Sequence, residues 1–162
     1  MTKNLEIERK FLIDPKKLPN PLPTPRHLSQ FYLSFKPQVR CRLISDILGN
    51  PQEAWLTVKG PGSITRSEYE YQIPTEDASD LSLLKQGSLV TKYRYEIKVG
   101  SFLWEVDQFL DNLAGLWVAE IELLDADEVV SPTPSWLLNE ISLDSRYSNT
   151  NLAKTGKLPQ IK

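Results

Sequence analysis

Formal charges recur at every second position along most segments that read as β-strands, and this pattern constrains the fold more than any other feature. Because side chains at i and i+2 share a face of a strand, each such strand has one charged face and one apolar face. The charges are sorted by sign: Arg40 and Arg42 form a basic face, and Glu120 and Glu122 an acidic one. The other charged faces hold Glu6, Glu8 and Lys10; Lys59; Arg66, Glu68 and Glu70; Lys92, Arg94, Glu96 and Lys98; and Glu105 and Asp107.

Polarity alternation and β-branched or aromatic residues predict eight strands. These are Leu5–Ile13, Leu28–Phe35, Gln38–Ser45, Ala54–Lys59, Glu68–Ile73, Lys92–Val99, Ser101–Phe109 and Val118–Leu124. The short break at Gly100 predicts a tight hairpin and therefore antiparallel neighbours. Many short strands with few helices predict a mainly β fold, either a barrel or a sandwich.

Two short helices are predicted beside the strands. Thr75 is placed to cap a helix that runs to Lys85, with Gly87 near its end. A second helix is predicted over Trp136–Ile141. Five prolines between Asp14 and Pro25 exclude a helix or a central strand there, so we expect an extended surface connection.

Length and composition fit one domain over residues 1–162, which is enough chain to build its own core. The net charge of −2 provides no bulk basic field, so neither nucleic acid nor a membrane is an expected partner. Cys41 is the one cysteine, and no signal peptide or apolar run of membrane-spanning length is visible. We therefore expect a cytoplasmic protein, and we expect Cys41 to be a buried apolar residue.

The charged faces are compatible with two geometries. In a sandwich they would cover the outer surface and need no function. In a closed barrel they would line the lumen, where each unpaired buried charge costs several kcal/mol unless water, metal ions or a charged ligand is present. The residues alone leave both geometries open.

A lumen of this composition would suit phosphoryl transfer. Paired glutamates are hard oxygen ligands for Mg²⁺ or Mn²⁺. Lysine and arginine clusters match phosphate oxygens, arginine through forked hydrogen bonds. Together they can position a metal–polyphosphate complex.

Several blocks, in order along the chain, resemble the motifs of the CYTH, or triphosphate tunnel, family. The first block, Glu6-Ile7-Glu8-Arg9-Lys10, matches the E-x-E-x-K motif that opens its members. The later blocks are Gln30-Phe31-Tyr32-Leu33, Val39-Arg40-Cys41-Arg42, Thr57-Val58-Lys59-Gly60, Arg66-Ser67-Glu68-Tyr69-Glu70, Lys92-Tyr93-Arg94-Tyr95, Trp104-Glu105-Val106-Asp107, Ala119-Glu120-Ile121-Glu122-Leu123 and Arg146-Tyr147-Ser148-Asn149. The resemblance covers nearly the whole chain.

The resemblance implies an antiparallel eight-stranded closed tunnel barrel with a few short flanking helices and its charged faces inward. It implies a metal-dependent triphosphatase acting on a small polyphosphate, with Mg²⁺ or Mn²⁺, as a monomer or homodimer. Matching positions imply metal ligands at Glu6, Glu8, Glu120 and Glu122, phosphate ligands at Lys10, Arg40, Arg42, Lys59, Arg66, Lys92 and Arg94, and supporting tunnel carboxylates at Glu68, Glu70, Glu105 and Asp107.

Lys10 and Tyr32 resemble a pair that assists catalysis in short bacterial members of the family. A nearby ammonium favours ionisation of a phenol, so Tyr32 is expected to help deprotonate the attacking water. Two positions depart from the family pattern. Phe31 replaces a glycine, which is expected to alter the path of that strand, and Lys154 is expected to be solvated.

Three functions are compatible with these residues. Hydrolysis of inorganic triphosphate, or of a nucleoside or thiamine triphosphate, is favoured because the short chain resembles the compact bacterial hydrolases of the family. Cyclisation of ATP to cyclic AMP is the first alternative and needs a base pocket that the sequence does not reveal. A non-catalytic module that binds polyphosphate or nucleotide is the second, and the intact glutamate pairs argue against it.

Overall fold

The computed structural model describes residues 4–160. Within them the strands are β1 (Leu5–Ile13), β2 (Arg26–Phe35), β3 (Gln38–Ser45), β4 (Pro51–Lys59), β5 (Thr65–Ile73), β6 (Gln86–Val99), β7 (Phe102–Phe109), β8 (Trp117–Glu122) and β9 (Leu137–Glu140). The helices are α1 (Thr75–Leu81) and α2 (Asn149–Thr155), and short 3-10 turns lie at Pro15–Lys17, Ser82–Leu84, Asp111–Leu113 and Ser145–Tyr147.

Eight strands close into an antiparallel barrel, which confirms the predicted fold. Their order is β5-β4-β3-β2-β6-β7-β8-β1, and pairing between β1 and β5 closes the ring. The first half of β1 pairs with β5 at Leu5–Ile7, whereas its last residues pair with β9. The ninth strand therefore extends one edge of β1 beyond the closed ring.

Apolar residues from the outward strand faces are buried under the flanking segments. Phe31 and Cys41 pack beneath α1 together with Ala78. Tyr147 and Leu152 cover another part of the wall near α2. The apolar core thus lies between the barrel and these covering segments, which leaves the opposite, charged strand faces to the lumen. Cys41 is fully buried, as predicted.

The predicted helix over Trp136–Ile141 is wrong, because Leu137–Glu140 form β9. Glu140 pairs in register with Phe11, and Arg9 donates two hydrogen bonds to the Glu140 carboxylate at 2.9 and 2.8 Å. Trp136 packs edge-on against Trp104 at 5.5 Å between ring centroids. Pairing with an available barrel edge outweighs the weak local preference for a helix.

The first predicted helix is shorter than expected. Helix α1 ends at Leu81, a 3-10 turn follows, and Gly87 lies inside β6 with a positive φ of 69°. Thr75 is the first helical residue, and Pro74 occupies the cap position. The proline-rich segment is an extended connection with one 3-10 turn at Pro15–Lys17, close to the expectation.

Helix α2 was not predicted, although its ends carry ordinary signals. The Ser148 side chain accepts a hydrogen bond from the Asn151 amide, and Gly156 ends the helix in the left-handed region at φ 60°. Within residues 4–160 no helix combines the length and apolarity that a bilayer-spanning segment requires.

Candidate active site

The barrel encloses a cavity of about 480 Å³, here called the front cavity. Its charged lining residues are Glu6, Glu8, Arg26, Arg40, Arg42, Lys59, Glu68, Glu70, Arg94, Glu105, Glu120 and Glu122. Because Glu6, Arg42 and Glu122 share this cavity, the sandwich alternative is excluded. Seven carboxylates and five cations face one another, so the wall itself carries an excess of negative charge.

Strand register explains why these groups meet. Glu8 of β1 is opposite Glu122 of β8, and Lys10 is opposite Glu120. On the other side of β8, Glu120 is opposite Glu105 of β7. Directly opposed residues in antiparallel strands have Cβ atoms about 5 Å apart, so the carboxylates cluster along β8.

The carboxylate cluster has strongly altered protonation. Burial, then the charge of Glu120, raises the pKa of Glu8 to about 8. Burial, then the charges of Glu6 and Glu68, raises the pKa of Glu122. Burial would also raise the pKa of Glu120, but Lys10 and the other cations outweigh it and hold that pKa well below its usual value.

A divalent cation fits this donor set. Glu6, Glu8, Glu120 and Glu122 supply hard oxygen atoms, and a bound ion would relieve the mutual repulsion that raises the pKa of Glu8. Across residues 4–160 no three Asp, Glu, His or Cys side chains converge as a ready-made cage. That is the arrangement expected of an ion that keeps waters and shares phosphate oxygens, as Mg²⁺ commonly does.

Lys59 of β4 pairs with two carboxylates of the front cavity. Its ammonium lies 2.9 Å from Glu6 Oε2 and 3.6 Å from Glu68 Oε2. Lys10 makes a similar pair, with its ammonium 3.2 Å from Glu120 Oε1. Burial would lower the pKa of Lys10, but Glu120 and Glu8 outweigh burial and raise it, so Lys10 stays charged.

Arg40 and Arg42 differ from these paired cations. Among the described residues neither makes an ion pair, and the Nε of Arg40 is buried without a hydrogen-bond partner. Arg42 Nε donates to the neutral Gln30 Oε1 at 3.1 Å. Burial, then the charges of Arg40 and Arg94, lowers the pKa of Arg42 to about 9. Arg40 is buried and Arg42 half-buried. Two neighbouring guanidinium groups without ion-pair partners suit an anion.

Lys92 and Asp107 form a buried ion pair next to Arg94 and are not among the residues that line the front cavity. Both are fully buried, and the Lys92 ammonium is 2.6 Å from Asp107 Oδ2. Arg94 Nε donates to the other oxygen, Asp107 Oδ1, at 2.7 Å. Burial lowers the pKa of Lys92 to about 8. Burial would raise the pKa of Asp107, but Arg94 and Lys92 outweigh it and lower that pKa.

A small cavity of about 30 Å³, here called the constriction, contains the remaining predicted residues. Lys10, Tyr32 and Arg66 line it, and it shares Arg40 and Lys59 with the front cavity. Its volume suits about two water-sized groups. The Tyr32 ring is buried and packs against Phe35 at 5.3 Å between centroids.

Beyond the constriction lies a rear cavity of about 320 Å³, which shares Lys10 and Arg66 with the constriction. Lys154 of α2 lines this cavity while remaining exposed. The expectation that Lys154 is merely solvated is therefore incomplete. Its ammonium lies 5.0 Å from the centre of the Phe35 ring.

The fold and the lumen have counterparts among known proteins. The chain matches the CYTH domain over residues 4–150. This chain belongs to the CYTH family. It is 38% identical to an inorganic triphosphatase of Acetivibrio thermocellus, covering 92% of this chain and 93% of that protein. It is 34% identical to an inorganic triphosphatase of Nitrosomonas europaea, covering 91% of this chain and 96% of that protein.

A crystal structure of an inorganic triphosphatase shows the same CYTH fold. It is 30% identical to this chain and aligns with a TM-score of 0.63, covering 91% of this chain and 93% of that one. The likeness extends across the barrel rather than one motif.

Several CYTH lumen residues were not singled out from the sequence. Thr57 and Trp55 of β4 share the inward face of Lys59, as strand alternation predicts, but neither was assigned a role in the site. Arg26 begins β2 earlier than predicted, ahead of Leu28. Asn149 lines both the front cavity and the constriction, and its Oδ1 is buried without a partner. Because Asn149 opens the unpredicted helix α2, no strand pattern marked it.

Proposed function

We propose that this chain hydrolyses inorganic triphosphate to diphosphate and orthophosphate inside the barrel, with Mg²⁺ or Mn²⁺ as cofactor. The observation that carries the proposal is the pair of guanidinium groups of Arg40, which is buried, and Arg42, which is half-buried: among the described residues neither has an ion-pair partner, and both line a cavity rich in carboxylates. A bare phosphate chain would meet repulsion from that wall, and a metal ion would meet repulsion from the arginines. A metal–polyphosphate complex satisfies both sides. The inorganic triphosphatase relatives support this substrate class.

The proposed ion would be held by Glu6, Glu8, Glu120 and Glu122 together with phosphate oxygens. When bound, it supplies charge neutralisation for the transferred phosphoryl group. The family is generally metal-dependent. The acidic excess of the front cavity supports the same dependence here.

The proposed phosphate ligands divide by location. Arg40, Arg42, Lys59 and Arg94 line the front cavity and would grip the chain there. Lys10 and Arg66 line the constriction and would contact the terminal phosphoryl group. Lys92 would support phosphate binding indirectly. Its ammonium pairs with Asp107, and Asp107 in turn orients Arg94.

Tyr32 is the proposed aid to water activation. Its side chain and Lys10 line the same constriction, where water would approach a terminal phosphoryl group. Lys10 remains an ammonium beside it, because Glu120 and Glu8 raise the Lys10 pKa against the effect of burial. Attack from this side places water, phosphorus and the leaving diphosphate in line.

All the proposed residues come from one polypeptide, so a monomer contains a complete lumen. Whether the protein is a monomer or a homodimer stays a prediction, as do its cytoplasmic location and its lack of nucleic-acid and membrane partners.

The test is a substrate and metal survey with the purified full chain. Tripolyphosphate, ATP and thiamine triphosphate are each incubated with Mg²⁺, Mn²⁺ or EDTA, and orthophosphate, diphosphate and cyclic AMP are quantified. We expect metal-dependent release of orthophosphate, fastest from tripolyphosphate. Cyclic AMP with diphosphate from ATP would replace this proposal with cyclisation. Metal-dependent binding of tripolyphosphate without turnover would replace it with a binding module.

A further inference from the structure

The two ends of the lumen differ in chemistry. The front cavity has seven carboxylates, whereas the rear cavity has two, Glu8 and Asp144. Asp144 is already engaged, because Arg146 Nη2 donates to Asp144 Oδ2 at 2.6 Å and Arg146 Nε donates to Oδ1 at 2.9 Å. The front is therefore built for a metal complex, and the rear lacks the acidic wall that such a complex needs.

The rear cavity is instead rich in hydrogen-bond donors. Three cations line it, Lys10, Arg66 and Lys154. Neutral hydroxyl or amide groups also line it, at Gln38, Ser63, Ser142, Ser145, Ser148, Thr150 and Asn151, beside a few apolar residues. Ammonium, guanidinium and hydroxyl groups suit a small tetrahedral oxyanion without a metal.

Two of the cations have spare capacity for such an anion. Arg66 Nε is buried without a hydrogen bond, although it lies 3.5 Å from Glu6 Oε2. Within residues 4–160 Lys154 makes no ion pair, and its ammonium is positioned over the Phe35 ring. Arg66 spans the constriction and the rear cavity, and Lys154 lies in the rear cavity. The two form a path for an anion leading away from the front.

The in-line geometry of hydrolysis determines which way the phosphoryl group moves along this path. With the diphosphate portion held in the front cavity, in-line attack requires water on the rear side of the terminal phosphorus. The water oxygen forms the new bond to phosphorus, and the bond to the bridging oxygen breaks with its electron pair remaining on diphosphate. One water proton passes to solvent in the rear cavity. The phosphoryl group thereby moves toward the rear as it becomes orthophosphate.

We propose that the rear cavity is an orthophosphate site through which this product leaves, while diphosphate is retained in the front cavity with the metal. This inference rests on the proposed triphosphatase function and adds a subsite and an order of release. Arg66 receives the orthophosphate at the constriction, and Lys154 binds it in the rear cavity. Orthophosphate departs first and diphosphate second.

Product inhibition of the full chain tests this order. With tripolyphosphate and Mg²⁺, we expect diphosphate to compete with substrate and orthophosphate to inhibit noncompetitively. Lys154→Ala should raise the inhibition constant for orthophosphate about fivefold, as expected for loss of one partly exposed charge contact, and leave that for diphosphate unchanged. Lys157→Ala is the matched control, since Lys157 is exposed just beyond α2 and is not part of the rear cavity lining. It should leave both constants unchanged.

A binding experiment separates the subsite from turnover. Inorganic phosphate is titrated calorimetrically into the wild-type protein already saturated with Mg²⁺ and diphosphate. We expect orthophosphate to bind, and to bind about fivefold more weakly to Lys154→Ala. Competitive inhibition by orthophosphate, or its exclusion by diphosphate, would overturn the rear site while leaving triphosphatase activity intact. Absence of triphosphatase activity would instead overturn the proposed function.

Discussion

Glu8 of β1 and Glu122 of β8 are register partners in the barrel wall, so two carboxylates of neighbouring strands enter the lumen side by side. Other carboxylates crowd each of them, Glu120 and Glu6 beside Glu8, and Glu6 and Glu68 beside Glu122. The raised pKa of both groups reflects burial and crowding of like charge. A divalent ion at the site proposed here would relieve the same crowding.

Glu122→Gln should therefore abolish most turnover without unfolding the barrel. We expect turnover to fall about 100-fold or more, because a carboxylate ligand is lost, while thermal stability without metal is unchanged or higher. The measurements are tripolyphosphate hydrolysis and melting curves with and without Mg²⁺. Glu76→Gln, on the exposed first turn of α1, is the matched control. Full activity of Glu122→Gln would remove this residue from the metal site.

The pKa of Glu8 predicts how stability varies with pH. Burial, then the charge of Glu120, raises that pKa from 4.5 to about 8, so the folded protein holds an extra proton between these values. Stability of the metal-free protein should then fall as pH rises from about 5 to about 8. Mg²⁺ affinity should rise over the same interval, because the ion requires the ionised carboxylate.

Glu8→Gln should reduce the fall in melting temperature between about pH 5 and about pH 8, when the variant and the wild type are both measured in EDTA. Glu140→Gln is the control, because Arg9 holds the pKa of Glu140 below its usual value and Glu140 does not titrate in this interval. Its profile should run parallel to that of the wild type. Equal slopes for wild type and Glu8→Gln would contradict the assignment.

Arg40→Met should affect binding and stability in opposite directions. The variant loses a guanidinium that is proposed to bind phosphate, so kcat/KM should fall about 10- to 100-fold. It also removes a buried cation whose Nε has no partner and whose Nη2 is 3.5 Å from Thr57 Oγ1. The free energy of unfolding without ligand should therefore stay constant or rise.

Steady-state kinetics and urea denaturation measure the two effects of Arg40→Met. Arg9→Met is the matched control, since Arg9 forms its fork with Glu140 on the outside of the barrel. It should reduce stability slightly, by at most about 1 kcal/mol, and leave kcat/KM unchanged. A destabilised Arg40→Met with normal kinetics would make Arg40 structural.

Tyr32→Phe tests the proposed water activation with minimal disturbance. Only a hydroxyl is removed, and the ring can keep its packing against Phe35 and Val90. We expect kcat to fall about 100-fold or more, a typical loss for proton-transfer assistance, with KM changed less than about threefold. Unchanged turnover would transfer the role to another group.

Strand alternation in the sequence identified the charged strand faces, and the family resemblance implied that they line a lumen, but neither gave the depth of a side chain within that lumen. Lys92 and Arg94 have the same i, i+2 relationship as Arg40 and Arg42, and all four were predicted to contact phosphate. In the structure Lys92 is fully buried and its ammonium pairs with Asp107, because β7 places that carboxylate opposite Arg94, two residues further along β6. Local periodicity determines which face of a strand a side chain occupies. The register with the neighbouring strand determines which side chain becomes its partner.

The covering segments were harder to predict for the same reason. Leu137–Glu140 become β9 because the end of β1 offers an unpaired edge, and that edge is more than a hundred residues away in the chain. Helix α2 is only seven residues long and is held by packing of Leu152 and Ala153 against the barrel. Short elements fixed by distant surfaces carry weak local signals.

Variants of the Lys92–Asp107–Arg94 cluster can distinguish structural support by Lys92 from direct contact between Lys92 and the substrate. Asp107→Leu would leave Lys92 and Arg94 in the wall without their shared carboxylate, and should reduce the free energy of unfolding by about 3 to 5 kcal/mol. Combining it with Lys92→Met should restore much of that loss, because one unpaired charge is removed. Urea denaturation of the two single variants and the double variant gives the coupling energy.

Kinetics of Lys92→Met then decide the role of this lysine. Asp107 keeps its contacts with Arg94 Nε and Nη2 in that variant, so Arg94 should remain oriented toward the cavity. If Lys92 acts by support, KM for tripolyphosphate should rise less than about threefold and the coupling energy should be large. A tenfold or greater rise in KM with little coupling would mean that Lys92 leaves Asp107 and contacts phosphate directly, as the motif resemblance implies.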